Sequence, residues 1–357
     1  AVSSTTRIDP EAIRTVYLSC GDARLFGMLH PAAGDAPSTD AAVLLCSPWG
    51  WDEVASYRPR RAWAMRLARA GYPTLRFDLP GTGNSTGTPP NPDLVRAWID
   101  SVGVAADWLR TAAGKQRLVA LGLGLGSWLA TAATEAGADI DELVSWAAPP
   151  SGKAFVRQSS AFSRLQGWNI GDRAGDGEDL AATADIEAGG FLLTAATIAE
   201  LSSTKVGTDA AGRLRRALVI GRQGVDSRSG LAARLEGAGV EVKVASERGW
   251  GTMVNHPDRS RLPTALSDLV EAWLAQGATA GDRLRDQFLA ARETIGVTTK
   301  AAVSGFWPMG EEIDVLPLLT ALAGLGHLCL LPVVAAPRTP LVFRLCVPGE
   351  ELDEGVF

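Results

Sequence analysis

QRLVALGLGLGSWLATAATEAG, residues 116–137, is the stretch that decides the fold. Leu118 to Leu121 is an unbroken apolar run, the pattern of a strand buried on both faces of a sheet. Glycines at 122, 124 and 126 interrupt it, and SWLATAATEAG then predicts a helix with Gly137 as its C-cap. Strand, cramped turn and helix make one unit of a parallel sheet covered by helices. The same plan extends outward. AVLLCSP (42–48) and YPTLRFDLPG (72–81) predict strands separated by a helix containing RRAWAMRLARAG, and a helix from Pro92 to about Ala113 leads into QRLVALG. After the strand ELVSWAAPP the alternation stops, and residues 151 to about 210, polar and glycine-rich, are expected to form a cap insertion. Alternation returns with the strand RALVIG, the helix SGLAARLEGAG, the strand VEVKVAS and the helix SRLPTALSDLVEAWL. The small, polar GATAGDR (277–283) is the expected linker between a first domain, 1–276, and a second region, 284–357.

Composition bounds the function. Hydrophobic residues make up 46% and charged residues 21% of the 357, enough apolar surface for a packed core. A net charge of −6 argues against nucleic acid as a partner, because phosphate binding needs clustered cations. Cys20, Cys46, Cys329 and Cys346 form no CxxC pair, so neither a zinc site nor a disulfide framework is expected, and a reducing, cytoplasmic setting fits. The start AVSSTTRIDPEA lacks the basic and apolar parts of a signal peptide. Val315 to Ala336 is apolar enough to suggest a membrane span, but Pro317, Gly324, Gly326 and Pro332 divide it into a short helix and a short strand.

The glycine turn bears on chemistry. In G-x-S-x-G such a turn holds a serine hydroxyl clear of the backbone for nucleophilic attack. Here it reads Gly122-Leu123-Gly124-Leu125-Gly126, so Gly124 occupies the nucleophile position with no side chain to react. A dinucleotide-binding reading fails because Ser127 stands where G-x-G-x-x-G needs its third glycine. Ser127 itself is either a displaced nucleophile or, as first-turn hydroxyls usually are, a helix cap.

The segment LLCSPWGWDEVASYRPRRAWAMRLARAGYPTLRFDLPGTGNSTG, with IEAGGFLLTAATIAEL and GWGTMVNHPDRSRLPTALSDLVEAWL, resembles the serine-aminopeptidase-like α/β-hydrolases, in particular the exosortase-associated group, over residues 15–275. The resemblance implies an α/β-hydrolase fold with a cap insertion. It implies two oxyanion-hole N–H donors, from Trp49 in the loop Ser47-Pro48-Trp49-Gly50 and from Leu125, and places the triad acid at Asp226. Relatives carry a histidine just after the proline of the final loop, where this chain has Asp258, while His256 lies two places earlier. With the nucleophile absent and the base displaced, serine-type ester hydrolysis loses its attacking group and its activator. What remains is a pocket for a small acyl or carboxylate ligand, needing no cofactor. An active hydrolase using Ser127 or activated water is one competing expectation.

Beyond the linker, SGFWPMGEEIDVLPLLTALAGLGHLCLLPVVAAPRTPLVFRLCVPGEELDEGVF resembles the first half of 5-formyltetrahydrofolate cyclo-ligase, so residues 283–357 imply a partial α/β cyclo-ligase-like unit. The resemblance assigns folate contacts to Glu312 and to Phe306, Trp307 and Met309, and relates Arg283 and Arg285 to the basic first helix. The family's later glycine-rich, tyrosine-containing phosphate loop has no counterpart before Phe357. The second competing expectation is thus an ATP-dependent cyclo-ligase-related function of this region in one-carbon metabolism, with ATP and Mg²⁺ expected only in a longer chain and another chain completing the half-domain as the corresponding partner.

Overall fold

The computed structural model describes residues 13–34, 36, 37, 39–165, 185–206, 214–222, 228–277, 280–292, 297, 300–306, 315–333 and 342–345. They divide into two compact units, residues 1–37 with 41–271, and residues 38–40 with 272–357.

The first unit is built on an eight-stranded sheet. Its strands are β1 (Arg14–Cys20), β2 (Ala23–His30), β3 (Ala41–Cys46), β4 (Thr74–Phe77), β5 (Arg117–Leu123), β6 (Glu142–Trp146), β9 (Arg216–Ile220) and β10 (Glu241–Ala245), in the order β1-β2-β4-β3-β5-β6-β9-β10. β1, β2 and β4 pair antiparallel, and every later neighbour pairs parallel. The central strands β3 and β5 are buried at every position, as strands covered on both faces must be. The covering helices are α1 (Trp51–Arg69), α2 (Leu94–Ala113), α3 (Leu125–Glu135), α6 (Ala233–Gly237) and α8 (Thr264–Gln276). α2 turns Val95, Trp98, Val102, Ala106 and Leu109 inward, three or four residues apart. α1 begins well before the segment RRAWAMRLARAG and carries Pro59 inside it. Gly137, at φ 95°, directly follows the α3 cap residue Ala136, in the conformation that ends helices.

Between β6 and β9, where a cap is expected, lie α4 (Gly152–Leu165), the hairpin of β7 (Ile186–Ala188) and β8 (Phe191–Leu193), and α5 (Ala195–Ser203). Thr194 caps α5, its Oγ1 accepting from the Thr197 N–H. α7 (Trp250–Met253) is a single turn after β10.

The second unit contains α9 (Ala280–Ala291), β11 (Ala302–Ser304), α10 (Leu316–Gly324), β12 (Leu328–Val333) and β13 (Val342–Leu345). The segment expected to be a linker, 277–283, thus enters α9 at Ala280. β12 pairs parallel with β11 and antiparallel with β13. Leu318, Leu319, Leu322, Cys329 and Leu331 form its core, with Leu284 and Phe288 packed on them. The apolar stretch from Val315 divides into α10 and β12, and no helix among the described residues is long and apolar enough to cross a membrane.

Candidate functional site at the glycine elbow

The turn between β5 and α3 is as tight as its glycines suggest. Gly124 sits at φ 53°, ψ −121°, a conformation that side chains rarely adopt. Its N–H donates to Trp146 O at 2.9 Å and its carbonyl accepts from Ser127 N at 3.1 Å. A Cβ at Gly126 would collide with the Cys46 and Ser47 carbonyls, so the loop after β3 lies directly against the start of α3. The space in front of Gly124 is narrow. A Cβ there would lie 3.3 Å from Trp250 Cη2, 3.5 Å from Trp250 Cζ2 and 3.4 Å from Pro48 Cβ.

Trp250 is held as firmly as the elbow. Gly249, which precedes it, adopts φ 144°, and a Cβ there would run into the Pro263 ring. The Trp250 ring stands edge-on to Trp146 at 5.1 Å, and Trp146 stands edge-on to Trp63 at 6.0 Å. The Arg222 guanidinium lies 5.5 Å from the Trp250 ring centroid, within cation–π range. Asp52, in the first turn of α1, feels the same cation. Burial pushes its carboxyl up to about 6, even though Arg222 pulls the other way.

The loop bearing Trp49 is anchored from α1. The buried Arg60 guanidinium donates to Ser47 Oγ, to Ser56 Oγ at 3.0 Å and to the Glu53 carbonyl at 3.1 Å, and pairs with the Glu53 carboxylate. Burial holds the Glu53 carboxyl above its ordinary value against the pull of Arg60. Trp49 and Leu125 are both buried, and Leu125 opens α3, so its N–H lies outside the helix's own ladder. The Trp49 indole faces different company. It packs edge-on to Phe155 at 5.9 Å and Phe191 at 5.3 Å, and lines a cavity of about 220 Å³ with Thr82, Gly83, Leu94, Trp98 and Phe191. Gly124, Pro48 and Trp250 are not among the residues lining that cavity.

His256 lies in the loop after α7, half exposed, its ring 6.1 Å from Trp51 and its Nδ1 accepting from the Asp258 N–H at 3.3 Å. Its carbonyl accepts from the amides of Arg259 and Ser260, so the residue braces its own loop. Asp258 is exposed and pairs weakly with Arg58 at 3.8 Å. Ser127 is fully buried and does not cap α3. Its Oγ accepts from Trp146 N at 3.1 Å and donates to Trp146 O at 3.3 Å, tying α3 to β6. Phe306 is exposed, and Arg285 is buried in α9. Asp226, Trp307, Met309 and Glu312 lie outside the described residues, as does the side chain of Arg283. Among the described residues no cluster of three or more His, Cys, Asp or Glu can hold a metal ion.

Sequence reasoning missed Trp250, the side chain that meets the elbow. Gly249-Trp250-Gly251, a large aromatic between two glycines just past the last strand of the sheet, was the available signal.

No protein-family model matches the sequence, and no curated protein sequence matches it. Solved structures do resemble it in fold. Est1E from Butyrivibrio proteoclasticus, solved with ferulic acid bound, is 15% identical with a TM-score of 0.50, over 73% of this chain and 96% of that one. DcsB, solved in complex with its substrate analogue, is 12% identical with a TM-score of 0.50, over 74% and 99%. A protein from Xanthomonas campestris, described as an α/β serine hydrolase without a lid, is 15% identical with a TM-score of 0.43, over 75% and 94%. At such identities the likeness is one of fold. Together with the strand order it gives the first unit an α/β-hydrolase fold.

Proposed function

We propose that this α/β-hydrolase-fold chain binds a small acyl or carboxylate ligand and does not hydrolyse esters through a serine. The observation that carries this reading is the crowding over Gly124, where the Trp250 ring and Pro48 stand 3.3–3.4 Å from the place a nucleophile's Cβ would take. Covalent acyl transfer needs a nucleophile within hydrogen-bond reach of a base, and the nearest side-chain atoms at this elbow belong to an indole and a proline. Two features support ligand binding. The N–H of Leu125 at the start of α3 and that of Trp49 in the anchored loop are donors of the kind that receive carbonyl and carboxylate oxygens. The Arg222 guanidinium against Trp250 adds positive charge, which favours an anionic ligand.

The test has two parts. A fluorophosphonate probe is expected to give no specific labelling of the folded chain; labelling that vanishes in Ser127→Ala would overturn the non-covalent reading. Titration with butyrate is expected to shift the amide resonances of Trp49 and Leu125, and unmoved resonances at saturating butyrate would remove the ligand from it.

A further inference from the structure

The cavity lined by the Trp49 side chain offers a second seat, with chemistry unlike that of the elbow amides. Its walls are Trp49, Trp98, Phe191 and Leu192, and its lining includes Thr82 and Gly83; among the described residues no ionisable side chain lines it. The polar atoms of the loop from Asp78 to Thr86 are largely committed elsewhere. Thr82 Oγ1 donates to Leu79 O at 2.8 Å, and the Trp98 indole N–H donates to Pro80 O at 2.9 Å. Asn84 N donates to Asp78 Oδ2 at 2.9 Å, while Ser85 Oγ and Thr86 Oγ1 accept from the amides of Phe26 and Arg24 in β2. This loop is thus fixed to the sheet before any ligand arrives. A charged group settling against these aromatic walls would lose part of its hydration with no ionisable side chain among the described lining residues to meet it, which is unfavourable.

Size narrows the occupant. An apolar cavity of about 150 Å³ holds benzene, so about 220 Å³ suits one ring with a small substituent. Wall chemistry narrows it again. Trp49 stands 6.5 Å from Trp98 and 5.3 Å from Phe191, with interplanar angles of 46° and 65°. Rings at these spacings touch one another and present a continuous aromatic wall, which favours a flat ring over an aliphatic chain. We infer that the cavity bordered by Trp49, Trp98 and Phe191 is a binding site for an uncharged, single-ring aromatic group. This inference does not depend on the elbow being inert, because the two sites share only Trp49.

Saturation-transfer NMR on the full chain, with benzyl alcohol and benzoate as probes, tests it. Saturable binding of benzyl alcohol is expected, with benzoate at least 10-fold weaker. Leu192→Trp, at a half-buried hairpin position, fills the cavity and should abolish the signal while leaving the near-UV circular dichroism of a folded protein. Should that variant fail to fold, Phe191→Ala removes one aromatic wall and should weaken benzyl alcohol about 3–10-fold. No saturable binding to the parent, equal binding of benzoate, or binding unmoved by the substitutions would each overturn the proposal. Butyrate shifts at Leu125 without benzyl alcohol binding would sink this site and leave the elbow reading intact; the reverse result would do the opposite.

Discussion

The two ends of the same strands are held by opposite means. Where β5, β6 and β9 begin, charge does the holding: Glu142 accepts from Arg117 at 2.7 Å and from Arg216 at 3.1 Å. Beside it the fully buried Asp141 accepts from Arg110 at 2.6 Å, from Arg215 at 3.1 Å and from the Leu118 amide at 2.8 Å. Where β5 and β6 end, at the edge on which open α/β sheets place their ligands, the filling is indole and glycine, and the buried Arg60–Glu53 pair on that side belongs to α1 and serves the loop after β3. Trp63, Trp146 and Trp250 are buried there with their Nε1 atoms unpartnered among the described residues. The difference teaches that this sheet tolerates buried charge readily when it is paired, so the aromatic filling at the other end is not forced by the fold.

The most severe way to break that contrast is Asp141→Ala. It removes three charge-assisted hydrogen bonds and leaves the buried Leu118 amide unpaired, although Arg110 keeps Asp139 and Arg215 is largely exposed, and should cost about 3–5 kcal/mol in urea unfolding. Burial alone would raise the Asp141 carboxyl, but the Leu118 amide and Arg110 outweigh it and hold it below its ordinary value. Its contribution is therefore complete above the ordinary carboxylate range and fades as pH falls below about 4, so the gap between parent and variant should close in acid. A smaller effect sharpens the contrast at the opposite end. Gly124→Ser imposes a side chain at φ 53° against Trp250 and should cost about 1–3 kcal/mol. On a Trp250→Ala background the same serine should cost less, and a double-mutant cycle in urea reads the coupling; strict additivity would mean that the indole does not crowd the position. The effect at Asp52 is read through pH. A carboxyl raised from 3.8 to about 6 in the fold weakens stability as pH climbs through that interval. Asp52→Asn should flatten the melting temperature between pH 4 and 6 and leave the variant the more stable at pH 7, as thermal unfolding across pH will register.

Much of this architecture is written locally. The apolar run before Gly122 and the helix after it mark β5 and α3, because a strand buried on both faces and a glycine turn each have a compositional signature. The hairpin of β1 and β2 is harder to see: Tyr17 is largely exposed yet packs on Phe26 at 5.6 Å, so apolar residues occupy both faces and blur the alternation. The first turns of α1 are masked by Pro59, which sequence rules treat as a helix boundary. At the site, Gly124 is legible because a missing side chain in a known turn is itself a signal. Trp250 is not, since nothing in Gly-Trp-Gly states which neighbour the ring will meet. His256 is a third case: closeness in sequence to a final loop does not say where a ring points, and the hydrogen bonds this residue makes are to its own loop.

The row of Trp63, Trp146 and Trp250 has an optical consequence. Ring centroids 6.0 and 5.1 Å apart, at interplanar angles of 81° and 89°, place three rigid indole chromophores in excitonic contact, with the outermost against Gly124. The elbow therefore carries an intrinsic dichroic reporter, and any event that displaces the Trp250 ring by even part of its width will be visible in the near ultraviolet without a label.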